Sequence, residues 1–138
     1  MDADAVYLVA RILSCGVWTG AGIYKAFHYS QTVEEMTHLG VPLARFALVP
    51  VLILELVGSL MLVFNIQVWA VALVWIAFVI VATPFYHFKW RTPTGQFVFP
   101  QMVQTTKNLC IIGGLLLLIL ADPHKPAWLI HGLKGTLP

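Results

Sequence analysis

The sequence predicts an all-α fold: an integral membrane four-helix bundle with both termini on the same side. Two features of composition point there. Hydrophobic residues make up 59% of the 138 residues. Charged residues make up only 10%, where a soluble domain carries about 25%. The third observation is pattern. Four apolar runs each approach the roughly 20 residues that an α-helix needs to cross the hydrocarbon core. The length suits a single domain over 1–138.

The first helix is expected at about 5–25. It follows an acidic start, Met1-Asp2-Ala3-Asp4, and Arg11 interrupts its apolar run. A secretory signal wants a positive leading region, so the segment reads as a retained helix. The second is expected at 42–65, with Pro42 in its first turn. Only Asn65-Ile66-Gln67 separates it from the third, at 68–87, which predicts a tight helical hairpin. The fourth, at 100–121, is purely apolar only from Leu109 to Ala121. To span, it must recruit Met102 to Asn108, which draws Lys107 below the membrane surface. Pro100 fits its first turn.

Two connections are longer. In the first, Thr32 to Leu39 has the makings of a short interfacial helix. In the second, Pro93 and Gly95 signal a turn, with Phe97 to Phe99 at the interface. Trp18, Trp69, Trp75, Trp90 and Trp128 include several near helix ends, as an aromatic belt requires. Cys15 and Cys110 lie in apolar runs and read as free, buried thiols. The long loops hold Lys25, Arg45, Lys89 and Arg91, whereas the tail holds Lys125 and Lys134 and the hairpin no charge. The positive-inside rule then puts the long loops in the cytoplasm and the termini outside.

Three ionisable residues fall inside the spans: Arg11, Glu55 and Lys107. A charge at a helix centre costs about 2.5–3.5 kcal/mol on insertion scales, so such groups usually face inward and pair. At a rise of about 1.5 Å per residue, Arg11 lies roughly 9 Å and Glu55 roughly 14 Å from the terminal side, and Lys107 about 8 Å from the loop side. An Arg11–Glu55 pair is therefore expected, with Lys107 reaching Glu55 only through a water. Arg11 and Lys107 can alternatively snorkel to the surface, whereas Glu55 is too short to do so. Arg11, Cys15, Trp18, Gly22 and Lys25 share one helical face. Glycines such as Gly22, Gly113 and Gly114 read as close-packing positions. Near the loop-side ends, Tyr24, Lys25, His28, Tyr86, His87, Gln104 and Lys107 suggest a polar mouth fit for a quinone head group or a small anion. The competing reading is a solvated rim.

All five histidines, His28, His38, His87, His124 and His131, fall outside the apolar cores, so no haem is expected. No Cys-x-x-Cys-His, metal-ligand spacing, phosphate loop or nucleophile motif is present, and no basic stripe suggests nucleic acid. Catalysis by this chain alone has little support.

Arg11 with Gly16, Gly20, Gly22 and Lys25, followed by Gly40-Val41-Pro42, resembles the opening of DoxX-like membrane proteins. Leu54-Glu55-Leu56-Val57-Gly58 resembles their acidic-then-glycine motif, which brings Gly58 into the packing set. Lys107-Asn108-Leu109, then Gly113-Gly114-Leu115, resembles the family's Lys-Asn-Leu…Gly-Gly-Leu signature, and adds Asn108 to the mouth. Cys110 departs from the small or aliphatic residues common there. The resemblance implies a four-helix membrane fold. It also implies a small subunit of a quinone-linked oxidoreductase in a bacterial inner membrane, in contact with lipids, other subunits and quinone. A structural or assembly subunit without a ligand, and a small proton or anion carrier, are the alternatives.

Overall fold

The computed structural model describes residues 2–129, and His131 and Lys134 lie outside them. It has five helices: α1 (Ala3–Phe27), α2 (Tyr29–His38), α3 (Ala44–Val63), α4 (Val68–His87) and α5 (Phe99–Ala121). Four of them, all but α2, are long and apolar enough to cross a membrane. Both described ends of the chain lie at the end of the bundle that carries the α3–α4 hairpin. Arg11 bonds there to Leu62, and Asp122 to Trp69.

Local chemistry sets the helix limits. Asp2 caps α1 by accepting from the Ala5 backbone N–H at 2.7 Å, satisfying one of the orphan donors of a helix start. Pro42 does not begin α3 as expected; it sits in a turn. The helix starts two residues later because Leu43 adopts a left-handed conformation (φ 51°), and its carbonyl accepts from Phe46 and Ala47. Pro100 does lie in the first turn of α5. The short helix expected over Thr32–Leu39 runs instead from Tyr29 to His38. The hairpin turns by placing Asn65 and Gln67 in the left-handed region (φ 59° and 47°). Gln67 does not cap α4 with its own side chain. Asp122, only 1% exposed at the end of α5, accepts from the Trp69 N–H at 2.9 Å instead. A carboxylate suits the positive end of a helix, and this one ties three chain segments together.

The helices pack chiefly as two pairs, α1 on α3 and α4 on α5. At the terminal end the pairs close into one core, formed by Cys15, Trp18, Leu62, Val71, Trp75, Leu115 and their neighbours. Trp18 stacks on Trp75 with ring centroids 4.5 Å apart. The Trp75 indole N–H donates to the Leu54 carbonyl at 3.1 Å. Gly58 lets this ring approach, since a Cβ there would lie 3.1 Å from the Trp75 Nε1. Gly22 serves the α1–α3 contact, where a Cβ would meet Leu56 Cδ2 at 2.8 Å. Gly113 and Gly114 do not pack as expected: a Cβ at either meets nothing within 4 Å. They lie on exposed positions of α5, and Gly114 borders a groove between α1 and α5.

At the loop end a second, smaller cluster of Met36, Ala44 and Leu48 joins α2 to α3. Between it and the main core the helix pairs part. Pro50 and Pro84 lie in the loop-side halves of α3 and α4. Each removes an intrahelical donor and so leaves the carbonyl of Phe46 or Ile80 without its usual partner.

Candidate functional site

The space between the parted pairs is a half-open cleft of about 440 Å³. Its walls are mostly apolar and include Trp18 of α1, Val51 of α3, Phe78 and Phe85 of α4 and Ile111 of α5. Its polar lining is Lys25, Glu55, Tyr86, His87, Lys107 and Asn108. Ligand sites commonly have this make-up, an apolar wall with a few placed polar groups.

Glu55 is the deepest of these charges and is 1% exposed. Its Oε1 accepts a hydrogen bond from the Lys25 ammonium, and the two form an ion pair. The expected Arg11–Glu55 pair does not form. Side-chain direction explains the difference, because each Cα–Cβ bond on a helix tilts toward that helix's own N-terminus. α1 runs from the terminal end to the loop end, so Lys25 leans back into the membrane. α3 runs the opposite way, so Glu55 leans toward the loop end and meets it. Arg11 leans toward the terminal surface, away from Glu55. Depth counted at Cα atoms misses this convergence.

Arg11 is nevertheless inward, at 8% exposure. Its guanidinium donates to the Leu62 carbonyl at 3.2 Å and lies 4.9 Å from the centre of the Tyr7 ring, a cation–π distance. Cys15 donates to the Ser59 carbonyl one turn further along α1. Cys15 is a buried free thiol, but Cys110 is exposed rather than buried, because its face of α5 turns outward. The shared face of Arg11, Cys15, Trp18, Gly22 and Lys25 is the one α1 turns to the bundle, with Lys25 part exposed.

Lys107 is exposed and lines the cleft without a hydrogen bond to Glu55. Asn108 donates to the Thr83 hydroxyl at 2.9 Å, joining α5 to α4. His87 meets the Gln101 side chain at 3.2 Å, and its carbonyl accepts from Thr105 at 3.0 Å. Thr105 in turn accepts from the Trp90 indole at 3.1 Å. This network holds the loop-side ends of α4 and α5 together, and sequence reading missed Thr83 and Thr105. Of the expected mouth, Lys25, Tyr86, His87, Lys107 and Asn108 share the cleft with Glu55. Tyr24, His28 and Gln104 do not line it. Tyr24 is exposed and stacks on His28 at 4.3 Å, about one residue's rotation away from Lys25. Among the described residues no group of three or more His, Cys, Asp or Glu could hold a metal ion.

Two observations missed at the sequence level had a signal. Pro50 and Pro84 break apolar runs within the spans, and Asp122 directly follows the last one. A proline inside a span points to weakened helix, and an acid beside a span, which lipid does not tolerate unpaired, points to an inward partner.

Four spanning helices around an internal, partly charged cleft define a small polytopic membrane protein. The chain belongs to the DoxX family, whose sequence model, described as DoxX, matches residues 6–88. It is 28% identical over 116 residues to inner membrane protein YphA of Escherichia coli K12, covering 84% of this chain and 82% of that one. It is 32% identical over 120 residues to inner membrane protein YqjF of the same organism, covering 87% and 86%. No solved structure matches at a significant level.

Proposed function

We propose that this chain is a subunit of a quinone-linked membrane complex and holds the polar head of a lipid-soluble ligand, quinone first, in the cleft. The observation that carries this reading is the cleft itself: about 440 Å³, apolar-walled, with Lys25, Glu55 and Lys107 inside it. A bare ion pair could be held by two helices packed tightly together. Here it sits instead at the inner end of a space large enough for a ring. Lys107 has three donors and no acceptor, so it suits a carbonyl or anionic oxygen. The names of the two relatives support an inner membrane location. Lys25, Arg45, Lys89 and Arg91 at the loop end favour that end in the cytoplasm.

A photoactivatable quinone tests the reading on the purified protein in lipid nanodiscs. Label is expected on peptides that carry Trp18, Phe78 to Phe85 or Ile111, and excess plain quinone should compete it away. Label spread over the outer helix faces, unaffected by competitor, would contradict it.

A second reading, a structural subunit, is favoured by one observation: the Lys25–Glu55 pair crosses from α1 to α3. On that reading Glu55→Gln lowers the yield of folded protein and leaves the activity per assembled complex unchanged.

A further inference from the structure

The inner end of the cleft carries a buried acceptor without a partner, and that acceptor selects between ligand forms. Glu55 Oε1 is taken by Lys25, but Oε2 is buried without a partner. A carboxylate oxygen facing an ammonium on one side still accepts on the other, and a buried acceptor left unpaired is costly. At the opposite wall Lys107 offers only donors. Asn108, on the same wall, gives one of its two amide N–H groups to Thr83. The inner end of the cleft thus holds one acceptor, Glu55 Oε2, that no donor reaches.

We propose that the cleft prefers the hydroxyl-bearing, reduced form of its ligand, a quinol or similar phenol, over the carbonyl-only quinone. This rests on the ligand reading above. One hydroxyl donates to Glu55 Oε2, with Lys25 shifting its partly exposed ammonium to admit it. The second ring oxygen accepts from Lys107. A quinone presents acceptors at both ends. Its oxygen at the Glu55 end can accept from Lys25 but brings no proton for Glu55 Oε2, so the buried acceptor stays unmet. Hydrogen bonds to charged groups are strong enough to make this difference about tenfold or more in affinity.

Three probes decide it on the wild-type protein in nanodiscs: a short-chain ubiquinol, the matching ubiquinone, and the dimethyl ether of the same quinol. The ether keeps the ring and tail and loses both donors. The quinol is expected to bind about tenfold tighter than either of the others. Glu55→Gln should shrink that gap, because an amide can donate as well as accept. Lys107→Gln should weaken all three probes alike. Equal affinity for quinol, quinone and ether in the wild type overturns the preference and leaves quinone binding standing. A gap that persists in full in Glu55→Gln overturns the role of Glu55. Binding of none of the three removes this proposal together with the reading beneath it. The wild-type comparison needs no variant to fold.

Discussion

The two ends of this bundle solve the problem of buried polarity in opposite ways. At the terminal end Arg11 and Asp122 are spent on backbone: one donates to the Leu62 carbonyl, the other accepts from the Trp69 N–H. Around them all four spanning helices meet in a core built on stacked Trp18 and Trp75. At the loop end Lys25 and Glu55 pair with each other beside a cleft, and Lys107 faces the same space. Helix association in lipid draws little on the hydrophobic effect and depends on close packing and hydrogen bonds. An end with close packing therefore carries the stability. The end that gives packing up keeps its charges for something else.

The largest effect should come from breaking the packed end. Trp75→Ala deletes a fully buried ring and is expected to cost about 3–4 kcal/mol, read as the midpoint of unfolding in mixed detergent. A loss below about 1 kcal/mol would mean that this core does not hold the bundle together. Next comes the charge pair. Glu55→Leu strands Lys25, and breaking a fully buried pair costs about 3–5 kcal/mol. Lys25 is 23% exposed, so about 2 kcal/mol is expected after solvent takes its share. Lys25→Met together with Glu55→Leu should recover most of that stability and none of the quinol binding. Recovery of both would make the pair purely structural.

The smallest effects sharpen the comparison through glycine. Gly22→Ala forces Leu56 to move and should cost about 1–2 kcal/mol. Gly114→Ala meets open space and should be neutral or stabilise by up to about 1 kcal/mol through helix propensity. The same detergent titration reads both. A larger loss for Gly114 than for Gly22 would assign Gly114 to a contact beyond those within the described bundle.

The architecture was legible in the sequence because apolar run length is a strong signal in a chain with so few charges. The four spans are placed to within two residues, and the short hairpin was visible as Asn65-Ile66-Gln67. That Arg11 and Glu55 would face inward was legible too, since lipid tolerates neither. Their partners were not. The position of Lys25 near the helix end suggests the polar mouth, with a solvated rim as the alternative, and does not show that its side chain runs back down the helix to Glu55. Gly113-Gly114 resembled a packing motif, but rotation about α5 turns both outward, and one sequence carries no information on that phase. The cleft arises from absence of contact between helix pairs, which no residue pattern announces except the prolines at positions 50 and 84.

Accessibility of the cleft tests the contrast between the two ends most directly. In a background with Cys15 and Cys110 replaced by alanine, Ala82→Cys puts a thiol on the cleft wall and Ala72→Cys puts one in the packed core. A water-soluble maleimide applied to the protein in nanodiscs should modify the first and spare the second. Saturating short-chain ubiquinol should slow the modification at position 82 several-fold. Equal reactivity at both positions, or a rate at position 82 unchanged by the quinol, would contradict a ligand cleft at the loop end.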